Sequence, residues 1–209
     1  VLFNLLEVNL SFNEVGDFGA LSLTELSSLK QLKTINLAYN HLSQIGNEAL
    51  ARFNLTQNIE VLNLSEKLNE VGSLIYGDSG VMVFLASPYT FKLETLDLSE
   101  SNLTDRSAIA ISQSKKFTRL LQLNLSGNRI TDLGAGALAN SKYFKQLKQL
   151  NLNFNSIGDL GASSIAGSPY LTNLESLKLG QNRVSKAGAK ALKNSNTLIN
   201  LVHPIFGFY

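Results

Sequence analysis

A short alternation of apolar and polar residues recurs along the chain, and a helix-like segment follows it each time. In residues 123–126 leucines alternate with asparagine and serine, which indicates a short strand with one buried and one solvent-facing side. The next Gly-Ala step opens a segment whose apolar residues Ala135, Leu138 and Ala139 fall at helical spacing. Each copy of the pattern therefore predicts one strand and one helix.

The copies follow one another at a fixed period. Their first apolar residues lie 27 positions apart, or 34 between the third and fourth copies: Leu5, Leu32, Ile59, Leu93, Leu120, Leu147, Leu174 and Leu201. The clearest copies read L-x-x-L-x-L-x-x-N-x-I-x-x-x-G-A. One strand and one helix cannot close a core, so neighbouring copies must stack. Each leucine that stacking fully buries then contributes about 1.5–3 kcal/mol.

This repeated pattern resembles the leucine-rich repeat family, and its period and strand-then-helix unit resemble the ribonuclease-inhibitor-like subclass. The resemblance covers nearly the whole chain and implies a curved α/β solenoid with a parallel sheet on its concave face and helices on its convex face. We expect about seven 27-residue repeats and a final edge strand near Pro204, since proline cannot donate to a sheet ladder. Residues 1–209 are expected to form a single leucine-rich repeat domain, a fragment of a longer array.

One polar position after the strand departs from the pattern in the middle of the chain. It is occupied in order by Asn13, Asn40, Lys67, Ser101, Asn128, Asn155 and Asn182. A buried asparagine there is expected to bridge backbone groups of adjacent repeats. The third repeat also carries seven extra residues, an insertion around residues 66–79. Two interpretations stay open: a tolerated surface loop, or a loop that contacts a partner.

The position just before that asparagine supplies most candidate binding residues. Phe12 and Tyr39 occupy it in neighbouring repeats, and acids follow, which favours a basic partner. Aromatic side chains supply binding energy that short neutral polar groups rarely do. The residues predicted to contact a protein partner are Phe12, Tyr39, Glu66, Tyr76, Asp78, Glu100 and Phe154. The acids match no known calcium-loop spacing, so we expect no metal and no cofactor.

The net charge of +2 conceals a polarised chain. Residues 1–105 contain five Lys/Arg and thirteen Asp/Glu, whereas residues 106–209 contain thirteen and three. The basic residues fall at helix exits, where they suit the helix dipole, although an anionic partner would also explain them. No aromatic residues are interleaved with them as single-strand binders require, so nucleic-acid binding is not expected.

The amino-acid composition limits the cellular compartments and the chemistry that we expect for this protein. No apolar run approaches the ~18 residues of a membrane helix, so no membrane span is expected. The chain has no cysteine, which excludes disulfides, thiol nucleophiles and thiolate zinc sites. We therefore expect the cytosol or another reducing compartment, and a bacterial effector-type protein delivered into a host cell is one setting that fits.

Catalytic motifs are missing from the sequence. The two histidines, His41 and His203, have no assembled acid and nucleophile in their repeats, and no P-loop or HExxH motif occurs. We therefore predict a non-catalytic protein–protein interaction module without a small-molecule substrate, which binds through the concave face and rim loops. Two alternatives remain: a GTPase-activating or other enzyme-regulating protein that uses Arg129 and Arg183, and an electrostatic binder that uses the basic half.

Overall fold

The computed structural model describes residues 4–25, 29–52, 58–66, 77–88 and 92–205. In these ranges eight three-residue strands alternate with seven helices. The order is β1 (Glu7–Asn9), α1 (Gly16–Thr24), β2 (Thr34–Asn36), α2 (Gln44–Arg52), β3 (Val61–Asn63), α3 (Gly77–Ala86), β4 (Thr95–Asp97), α4 (Asp105–Gln113), β5 (Gln122–Asn124), α5 (Asp132–Ala139), β6 (Gln149–Asn151), α6 (Asp159–Ala166), β7 (Ser176–Lys178), α7 (Lys186–Lys193) and β8 (His203–Ile205). The predicted alternation of strand and helix is confirmed.

The strands form one parallel sheet in chain order. Equivalent residues of successive repeats face each other, and Leu62 faces Leu96 even across the 34-residue third repeat. The insertion therefore leaves the register unchanged. The expected final edge strand is β8, in which Pro204 faces Leu177 of β7. The predicted α/β leucine-rich repeat solenoid is thus the observed fold.

The core is a continuous apolar layer between the sheet and the helices. Strands β2 to β7 direct their middle residue inward because side chains alternate across a strand, and Leu96, Leu123 and Leu150 are fully buried. Phe117 and Phe144 fill the space where the chain returns from helix to strand, and both are completely buried. The repeats therefore share one dry interior, as stacking requires.

An asparagine ladder joins adjacent repeats beside the sheet, as predicted. It consists of Asn40, Asn128, Asn155 and Asn182. The Asn128 Oδ1 accepts hydrogen bonds from the backbone N–H groups of Ser101 (3.1 Å) and Leu103 (2.9 Å) in the preceding repeat. Its amide nitrogen donates to the carbonyl oxygen of Leu98, also in the preceding repeat, at 3.0 Å. Each ladder residue therefore satisfies buried backbone groups that no strand pairing reaches.

An aspartate column joins the helices in the opposite direction along the chain. Its members begin a helix or lie in its first turn: Asp17, Asp78, Asp105, Asp132 and Asp159. The Asp132 Oδ1 accepts from the N–H groups of Gly158 (2.6 Å) and Gly161 (2.9 Å) at the start of the next helix. A Cβ on Gly161 would lie 2.7 Å from that oxygen, so glycine is required for the approach. The carboxylate also complements the positive end of the helix dipole.

Candidate functional site

The rim column is the position that precedes the ladder residue in each repeat. It consists of Phe12, Tyr39, Glu66, Glu100, Gly127, Phe154 and Gln181. All members except Glu66 have a left-handed backbone with φ between 54° and 68°. The N–H of Phe12 donates to the Ala38 carbonyl oxygen, and that of Tyr39 to the Ser65 carbonyl oxygen, both at 2.9 Å. The backbone at both positions is therefore tied to the next strand.

Large side chains occupy this column at an energetic cost. A left-handed conformation suits Gly127, whereas at a non-glycine residue it costs about 1–3 kcal/mol. Phe12 and Phe154 accept this conformation and are also 75% and 62% exposed. Neither ring gains the burial that normally stabilises a phenylalanine, so folding alone does not account for aromatic residues here.

Phe12 and Tyr39 stack on each other across two repeats. Their ring centroids are 4.4 Å apart with an interplanar angle of 14°. The Tyr39 hydroxyl reaches past the third repeat and donates to the Glu100 Oε1 at 3.5 Å. Partial burial raises the pKa of Tyr39, and the negative charges of Glu100 and Asp97 raise it further. We call Phe12, Tyr39 and Glu100 the rim patch.

The Glu100 side chain packs closely against Gly127, where no side chain blocks the approach. A Cβ on Gly127 would lie 2.7 Å from the Glu100 Cγ, so the carboxylate stem of Glu100 rests directly on the Gly127 backbone. Glu100 remains exposed. The rim patch therefore ends in a positioned carboxylate that solvent, or a ligand, can reach.

Glu66, which the sequence predicted as a partner contact, has a different role. Its side chain is only 3% exposed, and its Oε1 accepts from the N–H groups of Asn40 (2.7 Å) and His41 (2.9 Å). The bond from Asn40 corresponds to the one that Asn128 accepts from Ser101, whereas the second comes from His41, one residue before the position equivalent to Leu103. Burial raises the pKa of Glu66, and its Oε2 is buried without a hydrogen-bond partner. Glu66 thus belongs to the ladder and not to the exposed rim.

Asp78 is likewise a structural residue. It belongs to the aspartate column and accepts from the Thr104 N–H (2.9 Å), the Thr104 hydroxyl and the Ser107 hydroxyl of the next repeat. Burial acts to raise the pKa of Asp78, but the hydrogen bonds from Ser107 and Thr104 outweigh it and leave the pKa below its usual value. The carboxylate is occupied within the fold, so it does not extend the rim patch.

Two other candidates lie apart from the rim patch. Phe154 is in the rim column two repeats beyond Glu100, and in the described part of the chain it has no ring neighbour within stacking distance. Tyr76, with most of the insertion around residues 66–79, lies outside the described residues. The candidate set therefore reduces to the rim patch, with Phe154 as a separate exposed ring.

The concave face carries short polar side chains instead of aromatic ones. A groove across β4 to β7 is lined by Asp97, Asn124, Asn151 and Lys178, with Gln122 and Gln149 along its other side. The Asn124 amide nitrogen donates to the Asp97 Oδ2 at 2.9 Å.

In the described ranges no group of three His, Cys, Asp or Glu side chains is placed to hold a metal ion. Among the helices of the described ranges, none is long and apolar enough to cross a membrane.

The aspartate column was missed when the sequence was considered alone. The signal was present, because aspartate occupies the same position in five repeats, two residues before a glycine in most of them. A carboxylate at the start of a helix is already explained by that helix's own dipole, so the pattern did not point to the next repeat. The hydrogen-bond partners of Asp132 lie 26 and 29 residues further along the chain.

Comparisons with known proteins agree with this architecture. The family model described as Leucine Rich repeats (2 copies) matches residues 118–166, and the model described as Leucine Rich repeat matches residues 1–23, 91–112 and 170–193. No curated protein sequence matches the chain.

Internalin C2 from Listeria monocytogenes aligns with a TM-score of 0.56 at 20% identity, over 96% of this chain and 80% of that one. The structure entitled Leiomodin-1 Actin-Binding Site 2 aligns at 19% identity over 72% of this chain and 88% of that one, but its TM-score of 0.44 is too low to support an argument. The internalin likeness shows the fold alone. The repeat pattern, the family matches and the stacked strand–helix units together show that the chain belongs to the leucine-rich repeat family.

Proposed function

We propose that this protein is a non-catalytic interaction module that binds a protein partner through its rim and concave face. The observation that carries the proposal is the stacked pair of Phe12 and Tyr39, with Phe12 75% exposed. Exposed aromatic residues on a rigid scaffold are the groups that most often dominate protein interfaces. The rim patch is therefore the proposed centre of the binding surface.

The geometry supports a partner contact more than a purely structural role for the two rings. Phe12 packs on Tyr39 with one face only, so most of the ring is left in water. The left-handed backbone at both positions adds a cost that glycine would avoid. A bound partner would cover the open face of Phe12 and recover the hydrophobic free energy that folding leaves unused.

The 27-residue period and the single strand and helix in each repeat support membership of the ribonuclease-inhibitor-like subclass. The cysteine-free sequence supports a reducing compartment such as the cytosol, and a bacterial effector-type protein acting in a host cell is consistent with it. A single domain over the described residues is proposed on the continuity of its core.

Affinity capture followed by a purified binding measurement tests the proposal. Wild-type protein, the Phe12→Ala/Tyr39→Ala variant and a Phe154→Ala control are immobilised, a captured protein is identified, and its affinity is measured by calorimetry. The double variant is expected to lose binding by at least about tenfold, since interface aromatics commonly contribute 2 kcal/mol or more. The control is expected to retain it. Equal binding by all three proteins would refute the rim patch as the binding surface.

The salt dependence of binding distinguishes an electrostatic contact through the basic half from a contact through the rim patch. Lys116 donates to the Ser87 carbonyl oxygen, and the Lys142 ammonium lies 5.3 Å from the centroid of the Tyr143 ring, so some basic groups already serve the fold. If the double variant still binds but moderate salt abolishes capture, the basic half is responsible. Arg129 and Arg183 are exposed, and a GTPase assay of the Arg129→Ala/Arg183→Ala variant tests the enzyme-regulating alternative.

A further inference from the structure

We propose that the rim patch recognises a basic peptide segment of the partner, in which one cationic side chain covers Phe12 and a second pairs with Glu100. This inference rests on the proposed function, because it assumes that the rim patch is the binding surface. It adds the chemical class of the ligand: an extended stretch with arginine or lysine at alternate positions.

The first subsite is the open face of Phe12. Tyr39 covers the opposite face at 4.4 Å and holds the ring nearly parallel to its own, so Phe12 presents a fixed flat surface. The face of an aromatic ring carries negative electrostatic potential and attracts a guanidinium or ammonium group within about 6 Å. Arginine suits this surface better than lysine, since its planar group can stack on the ring.

The second subsite is the Glu100 carboxylate. The Tyr39 hydroxyl makes a long 3.5 Å contact with one of its oxygens, and the Gly127 backbone supports its stem, so the Glu100 side chain is oriented before any ligand arrives. Glu100 forms no salt bridge with a described residue, and it is exposed. A carboxylate held in this way can accept two hydrogen bonds from one guanidinium.

The field around both subsites is negative. Burial is the largest cause of the raised pKa of Tyr39, and the negative charges of Glu100, Asp97 and Glu66 each raise it further. The half of the chain that carries the rim patch contains thirteen acidic and five basic residues. Long-range attraction and short-range contacts therefore both select a cationic segment.

The phenol ring of Tyr39 separates the two subsites, so one side chain does not fill both. Side chains two residues apart in an extended peptide lie on the same side, about 6.8 Å from each other. Alternate arginines in an extended strand place two cationic groups on one side of the peptide, and this spacing defines the probe. The probe is a blocked Gly-Arg-Gly-Arg-Gly peptide, and its control replaces both arginines with citrulline, which has the same shape without the charge.

Titration of the whole chain with the two peptides, followed by NMR, tests the inference. The arginine peptide is expected to shift the ring signals of Phe12 and Tyr39 and to bind at least about tenfold more tightly than the citrulline peptide. Phe12→Ala is expected to weaken the arginine peptide about two- to fivefold. Glu100→Gln is expected to weaken it by a similar factor and to reduce its salt dependence. Phe154→Ala, which removes an equally placed ring without the stack, should change nothing.

Several outcomes overturn the inference. Equal affinity for the two peptides would exclude recognition of charge, and an equal loss in Phe154→Ala would exclude the stacked pair as the subsite. Salt-sensitive dimers of the free protein that Glu100→Gln dissolves would assign the patch to the basic half of a second copy. If the arginine peptide fails while a captured partner still requires Phe12, the proposed function stands and only the partner's charge is wrong. If neither depends on Phe12, both proposals fall.

Discussion

Replacing Asn128 with alanine should destabilise the fold far more than replacing the equivalent asparagine at the first repeat. The side-chain oxygen of Asn128 satisfies two backbone N–H groups, those of Ser101 and Leu103. Asn128 is only 8% exposed, so water has little access to the donors once the amide is gone. A buried donor without a partner costs about 1–3 kcal/mol, and for the two donors we therefore expect a loss of about 2–6 kcal/mol. Such a loss is a large share of the roughly 5–15 kcal/mol that stabilises a typical domain.

The matched control is Asn13→Ala. The Asn13 amide donates to the carbonyl oxygens of Leu10 and Ser11 within its own repeat, and the residue is exposed. Water can replace these bonds, so a cost below about 1 kcal/mol is expected. Urea unfolding followed by circular dichroism gives the free energies.

Repeat arrays can unfold in more than one step, so a local measurement is also needed. Amide hydrogen exchange locates the effect, which should appear as lost protection at Ser101 and Leu103. If Asn128→Ala costs no more than Asn13→Ala, or if both amides keep their protection, the proposed role of the ladder is wrong.

Three further predictions concern close packing and titration. Gly161→Ala should lower the melting temperature through a loss of about 1–3 kcal/mol, since its methyl would lie 2.7 Å from the carboxylate of the preceding helix. Gly136→Ala, whose nearest neighbour would lie at 3.6 Å, should instead gain about 0.4–1 kcal/mol; equal effects would contradict the packing argument. Burial raises the pKa of Glu66 in the folded state, so the free energy of unfolding of the wild type should fall as the pH rises above about 4.5 through that pKa. Glu66→Gln should remove this part of the decline, which urea titrations at several pH values measure. Tyr39 should titrate above 10.0 in an NMR pH series and move towards 10.0 in Glu100→Gln; an unchanged value would exclude the contact between them.

The fold could be predicted because one physical requirement is repeated at one period. Leu96, Leu123 and Leu150 must be buried together, and only stacking in register can bury them. The ladder followed for the same reason, because Asn128 has an equivalent in most repeats. Neither prediction needed knowledge of a particular side-chain conformation.

The candidate site was predicted less completely because it depends on the conformations of individual side chains. Phe12 and Tyr39 are neighbours in a column and are stacked, as their positions indicated. The contact between Tyr39 and Glu100 spans 61 residues and passes over a repeat, which no period encodes. Glu66, at the position before Lys67, reproduces the ladder bond to Asn40 and adds one to His41, and the repeat period predicts neither contact. Whether the rim patch binds a partner stays a prediction.

Ladder residues bond to the preceding repeat and column aspartates bond to the next one, and this limits how the array can be shortened or lengthened. Where a pair of repeats has both contacts, as with Asp105 and Asn128, the seam is closed from both sides, so a cut there leaves unmatched groups on the two new ends. Removal of residues 132–158 is an exception: Thr131 then continues into Asp159, and Asp105 can still bond to Thr131 and reach Gly161 in place of Gly134. Length should therefore be adjustable in whole periods, and an exchange of the third repeat must replace the bonds that Glu66 makes to the second.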